Sequence, residues 1–116
     1  MRKRVRIYRI ENCRGQGAYD SGAFERRGYA HPLPDQILGN IKKAEFSISA
    51  FFYGFTSKAQ LKRWFLSSDR LNLDRDGFFV SVYEIDRKFC FSDEYQAAFW
   101  KEKAEFIQDF ALSTFD

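Results

Sequence analysis

The sequence predicts an α+β domain, and three observations carry that reading. Residues 4–10 and 45–53 alternate apolar and polar side chains with the period of a strand, and residues 78–85 are apolar on both faces, as in a central strand. Residues 57–65 and 102–110 instead space their apolar side chains three and four apart, as helices do. Of 116 residues 45% are apolar, and a chain of this length buries about two thirds of its unfolded surface. One compact domain over 1–116 is therefore expected, with a mixed or antiparallel sheet of about 4–5 strands and two helices packed on it.

The elements follow in order. Arg4-Val5-Arg6-Ile7-Tyr8-Arg9-Ile10 reads as the first strand, rich in β-branched and aromatic types. Residues 11–40 form a long, partly irregular loop: Gly15, Gly17, Gly22 and Gly28 loosen the backbone, and Pro32 and Pro34 extend the residues before them. A loop this long in a compact domain is commonly functional, which makes it the first suspect for a binding surface. Residues 34–39 can close one helical turn, with Gly39 as its stop. Residues 45–53 place Phe46, Ile48, Ala50 and Phe52 on one face of a half-buried strand, and Gly54 breaks it. Ser57-Lys58-Ala59-Gln60 has the capping-box pattern, in which hydroxyl and amide reciprocally satisfy orphan backbone donors. Leu61, Trp64 and Phe65 then form one apolar stripe.

Residues 67–77, dense in Asp, Arg and Asn, read as a connection with at most a short helical turn near Leu71. The strong strand at 78–85 follows, and Asp86-Arg87 suggests a hairpin turn into residues 88–91. The C-terminal third admits two readings. Either residues 95–100 form a last strand followed by a helix from Lys101, or one long helix runs over 93–112. The first is adopted, and Glu102, Phe106 and Phe110 lie on a helix in both.

Charge and composition narrow the function. No stretch approaches the ~18 consecutive apolar residues of a membrane span, and the basic N-terminus runs into residues 5–8 rather than an apolar signal core. A soluble, intracellular protein is expected. Cys13, Cys90 and His31 are too few for a structural zinc site, and an intracellular chain argues against a disulfide. A Cys13/His31 nucleophilic pair lacks a third, orienting group. Phosphate loops, dinucleotide fingerprints and nucleophile elbows are missing. Glu84 and Glu94 would approach one another only if their strands pair.

Residues 1–63 hold 13 Lys/Arg against 5 Asp/Glu, and residues 64–116 hold 6 against 11, for a net charge of +3. Arg2, Lys3, Arg4 and Arg6 beside Tyr8 suit weak nucleic-acid contact through phosphates and ring stacking, although charges at a strand's start also discourage edge pairing. Aromatic residues reach 19%, with 14 Phe, 6 Tyr and 2 Trp. Most belong in the core, and exposed ones would anchor a partner. The candidates for such contact lie in the long loop: Tyr19, Arg26, Arg27, Tyr29 and His31.

The succession Ile7-Tyr8-Arg9-Ile10-Glu11, Gly15-Gln16-Gly17-Ala18-Tyr19, His31-Pro32, Gly54-Phe55-Thr56-Ser57, Gln60-Leu61, Trp64-Phe65 and Val82-Tyr83-Glu84 resembles a group of small phage and prophage proteins, over most of the chain. That resemblance implies a cofactor-free accessory protein in the cytoplasm of a bacterial host. It would bind a host protein or protein complex stoichiometrically, anti-CRISPR inhibition of a defence nuclease complex being one form. More distantly, the layout is similar to mono-ADP-ribosyltransferases. This likeness implies NAD as cofactor, held by Arg9, with Thr56 or Ser57 at the nicotinamide ribose and Glu94 or Gln96 stabilising the transition state. The chain departs from that pattern in lacking a Ser-Thr-Ser triplet and a distinct catalytic Glu, and Ser57 already serves as a helix cap.

Overall fold

The structure, a computed structural model, describes residues 3–19 and 34–115. It is α+β, with two three-stranded antiparallel sheets and three α-helices among those residues. Strand β1 (Arg4–Glu11), β3 (Phe79–Asp86) and β6 (Glu105–Ala111) form the first sheet in the order β1-β3-β6. Strands β2 (Phe51–Gly54), β5 (Ala97–Trp100) and β4 (Cys90–Ser92) form the second, in the order β2-β5-β4. Helices α1 (Asp35–Lys43), α2 (Lys58–Trp64) and α3 (Ser67–Arg75) complete it.

Period-two alternation sorts the side chains into three apolar clusters, and these give the layer order. Ile10 and Val80 face Leu61, Trp64, Phe65 and Leu73, so one side of the first sheet packs on α2 and α3. Its other side sends Ile7, Tyr83 and Ile85 against Ala97 and Phe99 of the second sheet. Ala98, between those two, points the opposite way with Phe51, onto Ile37 and Ile41 of α1. The centre of the first sheet, β3, is thus covered on both faces, which is why it is apolar on both along most of its length.

Gly54 lets the sheets meet. A Cβ there would stand 2.7 Å from Ile7 Cγ2 and 2.9 Å from the Tyr8 carbonyl oxygen, closer than real Cβ contacts come. The backbone passes through this gap, and Phe55 exchanges two hydrogen bonds with Tyr8, of 2.7 and 2.8 Å, across the free side of β1.

Several sequence expectations change. Residues 45–53 do not form one strand: Glu45 has φ 63, a 3-10 turn spans Ile48–Ala50, and extended backbone begins only at Phe51. Phe46, Ile48 and Ala50 instead pack around the α1 cluster. Gly39 does not stop α1, which runs on to Lys43 so that Ile41 can be buried beside Ile37. Residues 67–75 are a helix because Asp69 accepts the Leu66 N–H (2.9 Å), Arg70 donates to the Phe65 carbonyl (2.7 Å) and Leu73 enters the core.

Asp86 and Arg87 do not close a hairpin. The Asp86 carboxylate accepts the Lys88 N–H, a 3-10 turn follows, and β4 leaves the first sheet to pair with β5. Tyr95–Trp100 as a last strand holds at Ala97–Trp100, but the expected helix beyond it is strand β6. The four-residue spacing of Phe106 and Phe110 suits one face of a helix, but in β6 a bulge, with Ile107 unpaired between Phe106 and Gln108, sends the two rings to opposite faces, beside Tyr83 and Val80.

Candidate functional site

The first sheet brings together a buried ionic network. Arg9 and Glu11 stand two apart on β1 and so share a face, as do Ser81 and Tyr83 on β3, and the register sets Arg9 opposite Ser81. Glu11 Oε1 accepts from Arg9 Nε (2.9 Å) and from Lys101 Nζ (3.2 Å), and its Oε2 accepts from the Ser81 and Tyr83 hydroxyls (2.7 Å each). Burial alone pushes the Glu11 carboxyl up, but the two hydroxyls and then the Lys101 and Arg9 charges hold it below the usual carboxylate range. Burial and the same hydrogen bond keep the Tyr83 phenol protonated well above the usual phenol range.

Arg9 is the hinge of this arrangement. Its remaining nitrogens donate to the Tyr53 carbonyl (2.8 Å) and the Gly15 carbonyl (3.2 Å), and its guanidinium lies 5.0 Å from the Phe52 ring centre. All three side-chain nitrogens therefore have partners. Lys101 shares the same ring at 5.0 Å and reaches Tyr83 at 5.6 Å.

Beside the network opens a cleft of about 380 Å³. Tyr19, Tyr53, Phe55, Trp64 and Phe65 supply its ring-bearing walls, and Arg9 and Gln96 stand at its polar side. The rings brace one another: Trp64 Nε1 donates to the Tyr19 hydroxyl at 2.8 Å, Phe55 lies 5.7 Å from Trp64, and Phe65 meets Phe55 edge-on at 6.1 Å. Among the described residues that line it there is no carboxylate, histidine or cysteine. Among the described residues no three His, Cys, Asp or Glu side chains stand together as metal ligands would.

The residues singled out in the sequence disperse. Tyr19, Arg9 and Gln96 line the cleft. Thr56 and Ser57 are committed to starting α2: Ser57 Oγ accepts the Gln60 N–H at 3.2 Å, while Thr56 donates through both its N–H and its hydroxyl to Gln60 Oε1 at 2.9 Å. Gln60 thus caps one residue earlier than the capping box expects. Its amide also donates to the Glu94 carbonyl at 3.1 Å, and the Glu94 side chain is exposed. Glu84 is paired with Arg6 at 3.1 Å, which raises the Arg6 pKa, and its strand does not pair with the segment carrying Glu94. Lys3 and Arg4 are exposed. Arg2, Arg26, Arg27, Tyr29 and His31 lie outside the described residues.

Sequence reasoning overlooked the network's centre, Glu11, and its partners Ser81, Tyr83 and Lys101. The spacing Arg9-x-Glu11 on a strand was the available signal, since it sets a cation and an anion on one face. Trp64 and Phe65 were legible as a core stripe, and the structure shows that the same rings also wall the cleft.

Residues 1–113 match the model of a protein family described as Bacteriophage T4 Y00F protein. No curated protein and no solved structure matches the chain. The layout likeness to mono-ADP-ribosyltransferases gains no support from these comparisons.

Proposed function

We propose that this chain, which belongs to the Bacteriophage T4 Y00F protein family, works as a phage accessory protein that binds a host protein stoichiometrically. It acts in the cytoplasm of the infected cell, and bacterial defence complexes, CRISPR nucleases among them, are the first class of target to test. Among the described residues, none is part of a helix long and apolar enough to cross a membrane.

The cleft supports this reading. Its volume falls within the range of about 300–1,000 Å³ common to binding pockets. Its walls are Tyr, Trp and Phe, its cation is already neutralised by Glu11, and Tyr and Trp are the residues most often found as binding hot spots. An apolar or aromatic side chain of the partner would enter between the rings, with Tyr19, 39% exposed, at its rim. Arg26, Arg27, Tyr29 and His31 complete the proposed contact surface by sequence.

Affinity capture from host lysate with the tagged full chain tests this. A partner recovered in one-to-one ratio, and lost both on Tyr19→Asp and on Arg26→Glu/Arg27→Glu while thermal unfolding is unchanged, supports the reading. Recovery of no partner, or of one indifferent to both variants, refutes it. The second reading, NAD-dependent transfer, draws on Arg9 and Gln96 lining one cleft. Label transfer from NAD to lysate proteins that disappears in Gln96→Ala would promote it above the first.

A further inference from the structure

We propose that β6 is a docking edge, to which an extended basic segment of a partner protein adds as a further strand. Among the described residues the first sheet ends at β6, whereas the outer side of β1 is engaged by Phe55 and Gly17. An outer strand turns unpaired backbone N–H and C=O groups toward solvent, and an added strand can take them up. Residues Glu105 to Asp109 are all exposed, and Phe106 and Ile107, at 52% and 37% exposure, put two large apolar side chains on that rim. Apolar side chains beside a free edge are what strand addition exploits. None of these residues lines the cleft, so the inference stands apart from the reading above.

Charge selects the occupant. The strand carries Glu105 and Asp109 and no Lys or Arg, and exposed Glu102 precedes it. The nearby cations face elsewhere or sit at the end: Arg6 is held by Glu84, Lys101 by Glu11, Lys103 lies over the Trp100 ring at 5.3 Å, and Lys58 lies over Phe110 at 5.5 Å, at the strand's far end. A second copy of β6 laid against the first would gather four carboxylates in one ladder, and like charges in such proximity are unfavourable. A strand bearing Lys or Arg meets them with the opposite sign.

The register adds a pattern. Phe106 and Asp109 lie on the face of their partners Tyr83 and Ser81, while Glu105 and Gln108 lie on the face of Glu84 and Val82. Each face therefore offers one carboxylate, and the incoming segment needs basic side chains on both faces with an apolar one beside Phe106.

Titration of the isotope-labelled full chain, followed by amide resonances, tests the proposal. The probes are a synthetic peptide repeating Lys-Lys-Val, which as a strand sets Lys on both faces, and a counterpart repeating Glu-Glu-Val. The Lys peptide is expected to move the amides of β6, to weaken as salt is added, and to bind about tenfold more weakly to Glu105→Lys/Asp109→Lys, while the Glu peptide leaves β6 unmoved. Both positions are exposed, so thermal unfolding of that variant should match the parent. The proposal is overturned if neither peptide moves β6, if both move it equally, or if β6 amides shift with protein concentration alone, which would assign the edge to a second copy. Peptide binding that survives Tyr19→Asp separates this edge from the cleft.

Discussion

Glu11→Gln removes one charge from the buried network and nearly nothing else. Of the four groups bonded to the carboxylate, two are hydroxyls that can reverse and accept, and two are cations that can only donate. The amide is therefore expected to turn its oxygen to Arg9 and Lys101 and its nitrogen to Ser81 and Tyr83, keeping the geometry. What disappears is the neutralisation of Arg9, a side chain only 4% exposed. Taking one partner from a buried ion pair costs about 3–5 kcal/mol, and with the hydrogen bonds retained the lower end, about 3 kcal/mol, applies. At roughly 4 °C per kcal/mol for a domain of this size, the melting temperature should fall by about 12 °C near neutral pH.

The acid limb gives a sharper check. The native Glu11 pKa lies below its ordinary value, so its contribution is present above the usual carboxylate range and is lost as pH falls through the native pKa. Parent and variant should then converge in acid. Circular dichroism melts across a pH series would refute the reasoning if the gap near neutrality were under about 3 °C, or if it stayed constant down the acid limb.

Gly54→Ala should destabilise by about 1–3 kcal/mol, read as a lower urea midpoint, because its methyl meets backbone at the Tyr8 carbonyl as well as Ile7; an unchanged midpoint would show that the sheets do not depend on that approach. Ser57→Ala should cost about 1 kcal/mol by removing the α2 cap, and Ser57→Asp should restore most of it in the same urea titration. The Cys90 thiol, pushed up to about 11 by burial, should alkylate far more slowly than exposed Cys13 near pH 8, so mass spectrometry should find a single adduct, at Cys13, early in the reaction.

What could be read from the chain divides by range of interaction. β3 was legible because continuous apolar character needs cover on both faces, and the start of α2 because Ser57 carries its own capping chemistry. α3 was hidden since its Asp, Arg and Asn residues have turn-like preferences, and it holds through Asp69, Arg70 and the single deeply buried Leu73. β6 was misread because Phe106 and Phe110 stand four apart, which suits a helix as well as a strand, and the choice is made by pairing with β3, a long-range feature. The site followed the same rule. Arg9 and Tyr19 were visible as single residues, but Glu11 acquires its meaning from Tyr83, 72 positions away, and Lys101, 90 away.

Arg9 serves two masters: it bonds carbonyls on either side of the junction between the layers, and its flank is also a surface of the cavity. Mutational drift at that position is consequently penalised through folding before any change in recognition can be felt. Under the proposed function, adaptation to a new host target would have to proceed through the rim, where Tyr19 can be exchanged without unseating a buried charge. Variants that switch targets should therefore concentrate at Tyr19 and in its sequence neighbours, with position 9 left untouched.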